Sequence, residues 1–270
     1  MIVIFSDVDG TLLDQNYSFK KAEFALKNIK KRNIPLVLCS SKTYDEMIYL
    51  RRKMKNKDPF IVENGGAIFI PKKYFKKKFH YSYVENDFKI IELFEKNISL
   101  RDILNKITKE ININIVTIDE MNIKRISQLT GLSEKEAELV KRRKYSMPFL
   151  ILDSEEKISI IEKKIKENGL YFTQGEKFYY ITTSTKGKAT NKLIELFENE
   201  YNKKIISIGI GDSFNDLPLL ETVNIPILMR KLSGKYEERI NLPNLIKTDK
   251  SGPEGWGKIL TSLLMKNLEV

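Results

Sequence analysis

Residues 2–6, Ile-Val-Ile-Phe-Ser, run without a break into Asp7-Val8-Asp9-Gly10-Thr11-Leu12-Leu13. The apolar, β-branched opening suits a buried parallel strand and is too short for a core helix. Gly10 lets the chain turn sharply as it leaves that strand. In open α/β sheets, ligands sit in the crevice beyond the carboxyl ends of the strands. Two carboxylates two residues apart at such a place repel each other and stay ionised comfortably only beside a cation. Hard oxygen ligands suit Mg²⁺, which keeps several waters and usually also contacts a substrate phosphate. Asp and Gly are common in ordinary turns too, so this pair alone does not decide the chemistry.

The pattern that follows is an alternating one. A helix is predicted over 18–32, with Asn33 as its stop, then a strand at 35–39, a helix at 43–56 and a strand at 60–63. Gly65-Gly66 turns the chain into a further strand at 66–70. Such alternation predicts an α/β fold, a parallel sheet with helices on both faces. After Pro71 and the cluster Lys72, Lys73, Lys76, Lys77 and Lys78, the pattern changes. Helical stretches at 100–110 and 133–143 stand among short strands at 149–152, 171–173 and 178–182. Two capping boxes are expected, beginning at Ser133 and at Asp153. From Lys186 the α/β pattern resumes, with strands at 205–210, 225–229 and 245–248 and a helix near 256–267. The division expected is a core of 1–79 and 186–270, interrupted by an α+β unit at 80–185.

Three further segments carry chemistry. Ser40-Ser41-Lys42-Thr43 follows the second strand, where a hydroxyl and neighbouring N–H groups can hold phosphoryl oxygens. Thr43 and Glu46 also form a capping-box pattern, and both roles are compatible. Lys186-Gly187-Lys188-Ala189 opens a stretch with an apolar stripe at Leu193, Ile194, Leu196 and Phe197. Ile205–Ile210 then leads into Gly211-Asp212-Ser213-Phe214-Asn215-Asp216, adding carboxylates at another strand end. This last segment also reads as an ordinary strand-to-helix cap.

Taken in order, the Asp7-x-Asp9-Gly-Thr-Leu run, Ser40, Lys186 and the Gly211-Asp212-Ser213-x-Asn215-Asp216 run resemble the signatures of the haloacid dehalogenase-like phosphohydrolases. The resemblance implies that the inserted unit is a cap domain closing over the active site. It also implies roles. Asp7 would be the nucleophile and Asp9 the general acid and base. Ser40 and Lys186 would bind the phosphoryl group. Mg²⁺ would be held by Asp7, Asp212 and the Asp9 backbone carbonyl, with Asn215 and Asp216 supporting. A narrower resemblance, to the mannosyl-3-phosphoglycerate phosphatase family, rests on the Ser40–Thr43 run, Glu63-Asn64-Gly65-Gly66-Ala67-Ile68, Lys144-Tyr145-Ser146 with Phe149, Gly175-x-x-Phe178, the Lys186–Ala189 run and Gly252-Pro253-Glu254-Gly255-Trp256. One residue departs from that family: Lys177 stands where Arg is usual, keeping the charge but not the planar fork that grips carboxylates. The implied substrate is a small anionic phosphorylated sugar-glycerate. Ser40, Ser41, Lys42, Glu63, Asn64, Tyr145, Ser146, Lys177 and Lys188 are its expected contacts. Glucosyl-3-phosphoglycerate hydrolysis, broader sugar-phosphate hydrolysis, and a non-enzymatic module binding phosphate ligands or nucleic acid are the alternatives. A pure binder has no need of both Asp7 and Asp9.

Composition excludes several other classes. The single histidine, His80, rules out multi-histidine metal centres, and the single cysteine, Cys39, rules out an internal disulfide. No run approaches the ~18 apolar residues of a membrane span. The N-terminus reads as strand rather than leader, so a cytoplasmic protein without membrane partners is expected. The net charge of +11 is spread along the chain. No nucleic-acid-binding motif accompanies it, so no nucleic-acid partner is expected.

Overall fold

The computed structural model describes residues 1–94 and 98–265. In chain order the first part runs β1 (Ile2–Ser6), α1 (Glu23–Lys31), β2 (Leu36–Cys39), α2 (Tyr44–Met54), β3 (Phe60–Val62), β4 (Ala67–Pro71), β5 (Tyr83–Glu85) and β6 (Phe88–Glu92). The middle comprises α3 (Leu100–Glu110), β7 (Ile115–Thr117), α4 (Ile123–Thr130), α5 (Glu134–Val140), β8 (Ser146–Ile151), α6 (Glu156–Glu167), β9 (Tyr171–Gln174) and β10 (Tyr179–Thr182). The last part is α7 (Lys186–Tyr201), β11 (Ile206–Gly211), α8 (Leu217–Thr222), β12 (Ile225–Arg230), β13 (Ile246–Ser251) and α9 (Gly252–Met265). The helix expected near 256–267 thus starts earlier, and residues 266–267 lie outside the described residues.

Among the described residues the main sheet has nine strands, in the order β13-β12-β11-β1-β2-β3-β4-β6-β5. Pairings from β13 to β3 are parallel, and those from β3 to β5 antiparallel. Side chains of β1 alternate between two cores. Ile4 packs with Ala25, Ile29, Trp256 and Leu260 on one face. Val3 and Phe5 join Ala189, Leu193 and Phe197 on the other. A strand covered on both faces reads as a continuous apolar run, which is what residues 2–5 are. The strand order reverses at β1: β2 and β3 lie to one side, β11 to β13 to the other. Doubly wound sheets open their ligand crevice at such a point.

The inserted sheet has the order β7-β8-β10-β9. On one face α3 and α6 bury Leu104, Ile107, Ile161 and Ile165 against Phe149, Phe172 and Ile181. On the other, Ile126, Ala137 and Val140 meet Phe178 and Tyr180. Among the described residues no helix is long and apolar enough to cross a membrane.

The structure corrects three expectations. Residues 83–92, assigned to the insertion, form β5 and β6 and extend the main sheet through Phe69↔Ile90 and Ile68↔Ile91. The lysine cluster between β4 and β5 is a largely exposed connection, as expected, and it is pinned to α7, with Glu200 accepting from the N–H groups of Lys76 and Lys77. The capping box at Ser133 forms. The one at Asp153 does not, because Asp153 accepts from the Asn114 N–H and pairs with Lys157, tying β7 to the start of α6. The first helix is shorter than 18–32; a single 3₁₀ turn at Lys20–Ala22 precedes α1.

Candidate active site

Register explains how distant carboxylates meet. β1 and β11 pair with Ser6 opposite Ile210, so the residues just beyond, Asp7 and Asp212, leave the sheet side by side. The Asp7 N–H donates to the Ile210 carbonyl at 2.8 Å, extending the ladder into the turn. Gly10 lies so close that a Cβ there would come within 2.6 Å of the Asp212 carboxylate, and its φ of +72° is left-handed. Glycine is therefore required twice over at this position.

Asp7, Asp212 and Asp216 offer oxygens that all lie within 4.8 Å of one another, and all three residues are buried. Lys186, from the first turn of α7, projects between them. Its Nζ lies 2.6 Å from Asp7 Oδ1 and 2.6 Å from Asp216 Oδ1, and its side chain is wholly buried. Asp216 Oδ2 accepts from the N–H groups of Asp212 and Ser213, both at 3.0 Å. Both Asp216 oxygens are thus engaged, which makes it an anchor for Lys186 and the Asp212 turn. Thr11 Oγ1 donates to Asp212 Oδ1 at 3.3 Å.

Fully ionised, three carboxylates and one ammonium leave two negative charges in excess. Burial, reinforced by Asp216 and opposed by Lys186, pushes the Asp7 carboxyl from 3.8 up to about 7. Burial, Asp7 and Asp216 likewise hold Asp212 well above the usual carboxylate range. For Lys186, burial opposes the charge, but Asp216 and Asp7 outweigh it and raise the pKa. The oxygen-only donor set and the excess of two charges fit a hard divalent cation such as Mg²⁺. The orphaned, buried Asp9 Oδ1 adds to the same acidic floor.

Above this floor lies a cavity of about 680 Å³ bounded by both sheets' loops. The main sheet contributes Asp7, Asp9, Tyr17, Ser41, Lys42 and Asp212; the inserted unit contributes Arg143, Gln174 and Lys177. Lys42 Nζ sits 2.9 Å from Asp9 Oδ2 and 3.8 Å from Glu46 Oε1. Burial opposes its charge, but Asp9 and Glu46 raise its pKa, so it remains an ammonium. Asn215 Nδ2 donates to Asn64 Oδ1 at 3.1 Å, linking the β11 turn to the β3–β4 turn.

The expected site residues therefore divide. Asp7, Asp9, Ser41, Lys42, Lys177, Asp212 and Asn215 line the cavity. Ser40 is buried beside it, its Oγ accepting from the Lys42 N–H at 3.2 Å. Glu63, Tyr145 and Ser146 bind one another rather than line the cavity, and Asn64 pairs with Asn215. Glu63 accepts from the N–H groups of Lys144, Tyr145 and Ser146 at 3.0, 2.9 and 2.9 Å, and from Ser146 Oγ at 3.1 Å. This knot fastens the inserted unit to the β3–β4 turn. Glu63→Ala should lower stability by about 3–5 kcal/mol, because several buried N–H groups lose their acceptor; the denaturant midpoint measures it. Lys188 is a correction. It is exposed, its Nζ stands 4.8 Å over the Tyr171 ring, and it does not line the cavity. Successive helical residues turn ~100°, so Lys186 and Lys188 on one helix cannot both face the crevice.

Sequence reasoning missed Tyr17, Arg143 and Arg239. Arg143 is nearly buried and reaches from the inserted unit to the Ser41 carbonyl at 3.0 Å, leaving its Nε without a partner. Arg239, held by Glu237, bonds Gln174 Oε1 at 3.0 Å across the cavity mouth.

A sequence profile of haloacid dehalogenase-like hydrolases matches residues 4–239. The chain belongs to that family. It is 38% identical to the glucosyl-3-phosphoglycerate/mannosyl-3-phosphoglycerate phosphatase of Persephonella marina, over 97% of each chain. The phosphatase of the same name from Methanococcoides burtonii is 35% identical, over 98% of each. Solved structures with the same fold include a haloacid dehalogenase-like hydrolase from B. subtilis, with a TM-score of 0.66, 16% identity and coverage of 99% of this chain and 100% of that one. The sucrose-phosphatase of Synechocystis, solved with sucrose and phosphate, aligns with a TM-score of 0.62 and 16% identity, covering 98% and 97%. This haloacid dehalogenase-like hydrolase is a phosphoric monoester hydrolase, and its inserted antiparallel sheet is the cap.

Proposed function

We propose that the enzyme is a Mg²⁺-dependent phosphatase that hydrolyses mannosyl-3-phosphoglycerate to mannosylglycerate and phosphate, and accepts the glucosyl analogue. The observation that carries this reading is the near full-length similarity to phosphatases named for both substrates. The cavity chemistry agrees with it. Such a substrate brings a phosphate, a carboxylate and a ring of hydroxyls, and Lys42, Arg143 and Lys177 stand above the acidic floor beside polar readers such as Gln174.

In this mechanism the Asp7 carboxylate attacks phosphorus and the bond to the leaving oxygen breaks, giving an aspartyl-phosphate. Asp9 protonates the departing alkoxide, then takes a proton from the water that attacks the intermediate. Lys186 counters charge on the phosphoryl oxygens and holds the Asp7 carboxylate in line. Ser40, with neighbouring N–H groups, binds the same oxygens. Asp7, Asp212 and the Asp9 carbonyl would hold Mg²⁺, which when bound supplies neutralisation of the phosphate and of the carboxylate cluster. Asp216 fixes Lys186, and Asn215 fixes the turn. The cap excludes water and reads the leaving group.

Phosphate release tests the reading with mannosyl-3-phosphoglycerate, glucosyl-3-phosphoglycerate and mannose 6-phosphate. The two glycerate esters should show kcat/KM about a hundredfold above mannose 6-phosphate, as expected when charge-assisted contacts to a carboxylate are lost. Chelation of Mg²⁺ should abolish turnover of all three. Equal turnover of mannose 6-phosphate would leave a general sugar phosphatase in place of the narrow substrate.

A further inference from the structure

The loop that follows the catalytic turn carries a tyrosine in an unusual backbone state. Tyr17 has φ +54°, a left-handed conformation that bulky residues seldom adopt. Asp14 enforces it. Asp14 Oδ1 accepts from the N–H groups of Asn16 and Ser18 at 2.9 and 3.0 Å. The Asp14 carbonyl accepts from the Tyr17 N–H at 2.9 Å, and the Asp14 N–H donates to the Ser18 carbonyl at 3.0 Å. Strain held this firmly beside an active site calls for a functional reason.

The kink sends the ring into the cavity between core and cap. Its centroid lies 5.2 Å from Lys42 Nζ, within cation–π range. Its hydroxyl crosses to the cap and donates to the Thr130 carbonyl at 2.8 Å. Lys177 Nζ donates to that same carbonyl at 2.9 Å. Thr130 ends α4, and Gly131 follows at φ +75°, so this carbonyl belongs to the helix terminus. Such carbonyls lack intrahelical partners. Burial, followed by Asp9, pushes the Tyr17 hydroxyl up to about 12, so it stays a donor at neutral pH.

We infer that Tyr17 is a positioning residue for the leaving group: its ring fixes the Lys42 ammonium and its hydroxyl, through the Thr130 carbonyl, fixes that of Lys177. The two lysines take up one mutual geometry only when the cap is seated on Tyr17. This inference rests on the proposed reading, in which an anionic glycerate is the leaving group. A phenylalanine would pack the ring equally well but would leave the cap carbonyl to Lys177 alone.

The test is the selectivity ratio, kcat/KM for mannosyl-3-phosphoglycerate over that for p-nitrophenyl phosphate, which has no carboxylate to place. In Tyr17→Phe the ratio should fall about tenfold, chiefly through KM, as for the loss of one well-placed hydrogen bond. In Tyr17→Leu, which removes ring and hydroxyl together, it should fall further. Added to Lys177→Ala, Tyr17→Phe should lower the ratio by less than twofold more, because both act through one carbonyl. A wild type that prefers the glycerate ester but keeps its ratio in Tyr17→Phe and Tyr17→Leu overturns the role of Tyr17 alone. Full multiplication of the Tyr17→Phe and Lys177→Ala losses overturns the shared carbonyl as the link. A wild type with no preference for the glycerate ester overturns the substrate reading and this inference with it.

Discussion

Asp7→Asn should lower kcat by about four or more orders of magnitude, the scale seen when a covalent nucleophile is removed. The neutral amide keeps the shape of the carboxylate but cannot attack phosphorus. The same substitution has an opposite consequence for stability. In the metal-free enzyme, burial and Asp216 raise the Asp7 carboxyl from 3.8 to about 7. A carboxyl raised on folding favours the folded state below its unfolded pKa, and that contribution disappears as pH rises through the folded value. Wild type should therefore lose stability between about pH 4 and 7 through this group, whereas Asp7→Asn should not. At pH 8 the metal-free variant should be more stable by roughly 2–4 kcal/mol, the scale set by such a shift. Urea unfolding at pH 4.5 and pH 8 measures the difference. A variant less stable than wild type at pH 8 would show that the ionised carboxylate is comfortable where it is.

Lys186→Met carries the other large effect. The ammonium is wholly buried between Asp7 and Asp216, 2.6 Å from each. Removing one partner of a buried ion pair costs about 3–5 kcal/mol, because the remaining charge has no solvent to turn to. Here two carboxylates are stranded, so the loss should sit at the upper end. It should shrink below pH 7, where Asp7 takes up a proton. Turnover should fall by about three orders of magnitude with the loss of charge compensation at the phosphoryl group. Unfolding midpoints at pH 5 and pH 8, beside kcat with saturating Mg²⁺, separate the two consequences. A loss of stability that does not change with pH would sever Lys186 from Asp7.

What could be read from the sequence was whatever local covalent spacing determines. Residues 2–6 and 206–211 announce buried strands through their composition. Asp7 and Asp212 follow those strands in sequence, so their place at the crevice followed directly. Thr43 and Ser133 form their capping boxes because each needs only a residue three positions on. The gaps lie where contacts span the chain. Tyr17 meets Thr130, Arg143 meets Ser41, and Arg239 meets Gln174, pairs that no spacing rule connects. Glu63 is expected as a substrate contact only through the narrower family resemblance, which says nothing of its neighbours in space. Its actual partners are N–H groups of residues 144–146, whose direction only the cap's docking fixes. Lys188 failed on helical geometry, and β5 and β6 were obscured by the lysines that precede them.

The position of β1 also bears on how the protein is made. One edge of β1 pairs with β2, available as soon as the first forty residues exist, but the other pairs with β11, matching Ile2 with Ile206. A ribosome delivering the chain from its N-terminus must complete the entire cap before that second partner emerges. Through most of synthesis, then, the nascent core is a half-sheet in which the apolar β1 shows an open edge and lacks α7 over Val3 and Phe5. Exposed strand edges on partly made sheets are the usual seeds of aggregation. A chain of this topology should depend on holding factors during translation far more than during refolding of the finished polypeptide, where β11 is at hand from the first moment.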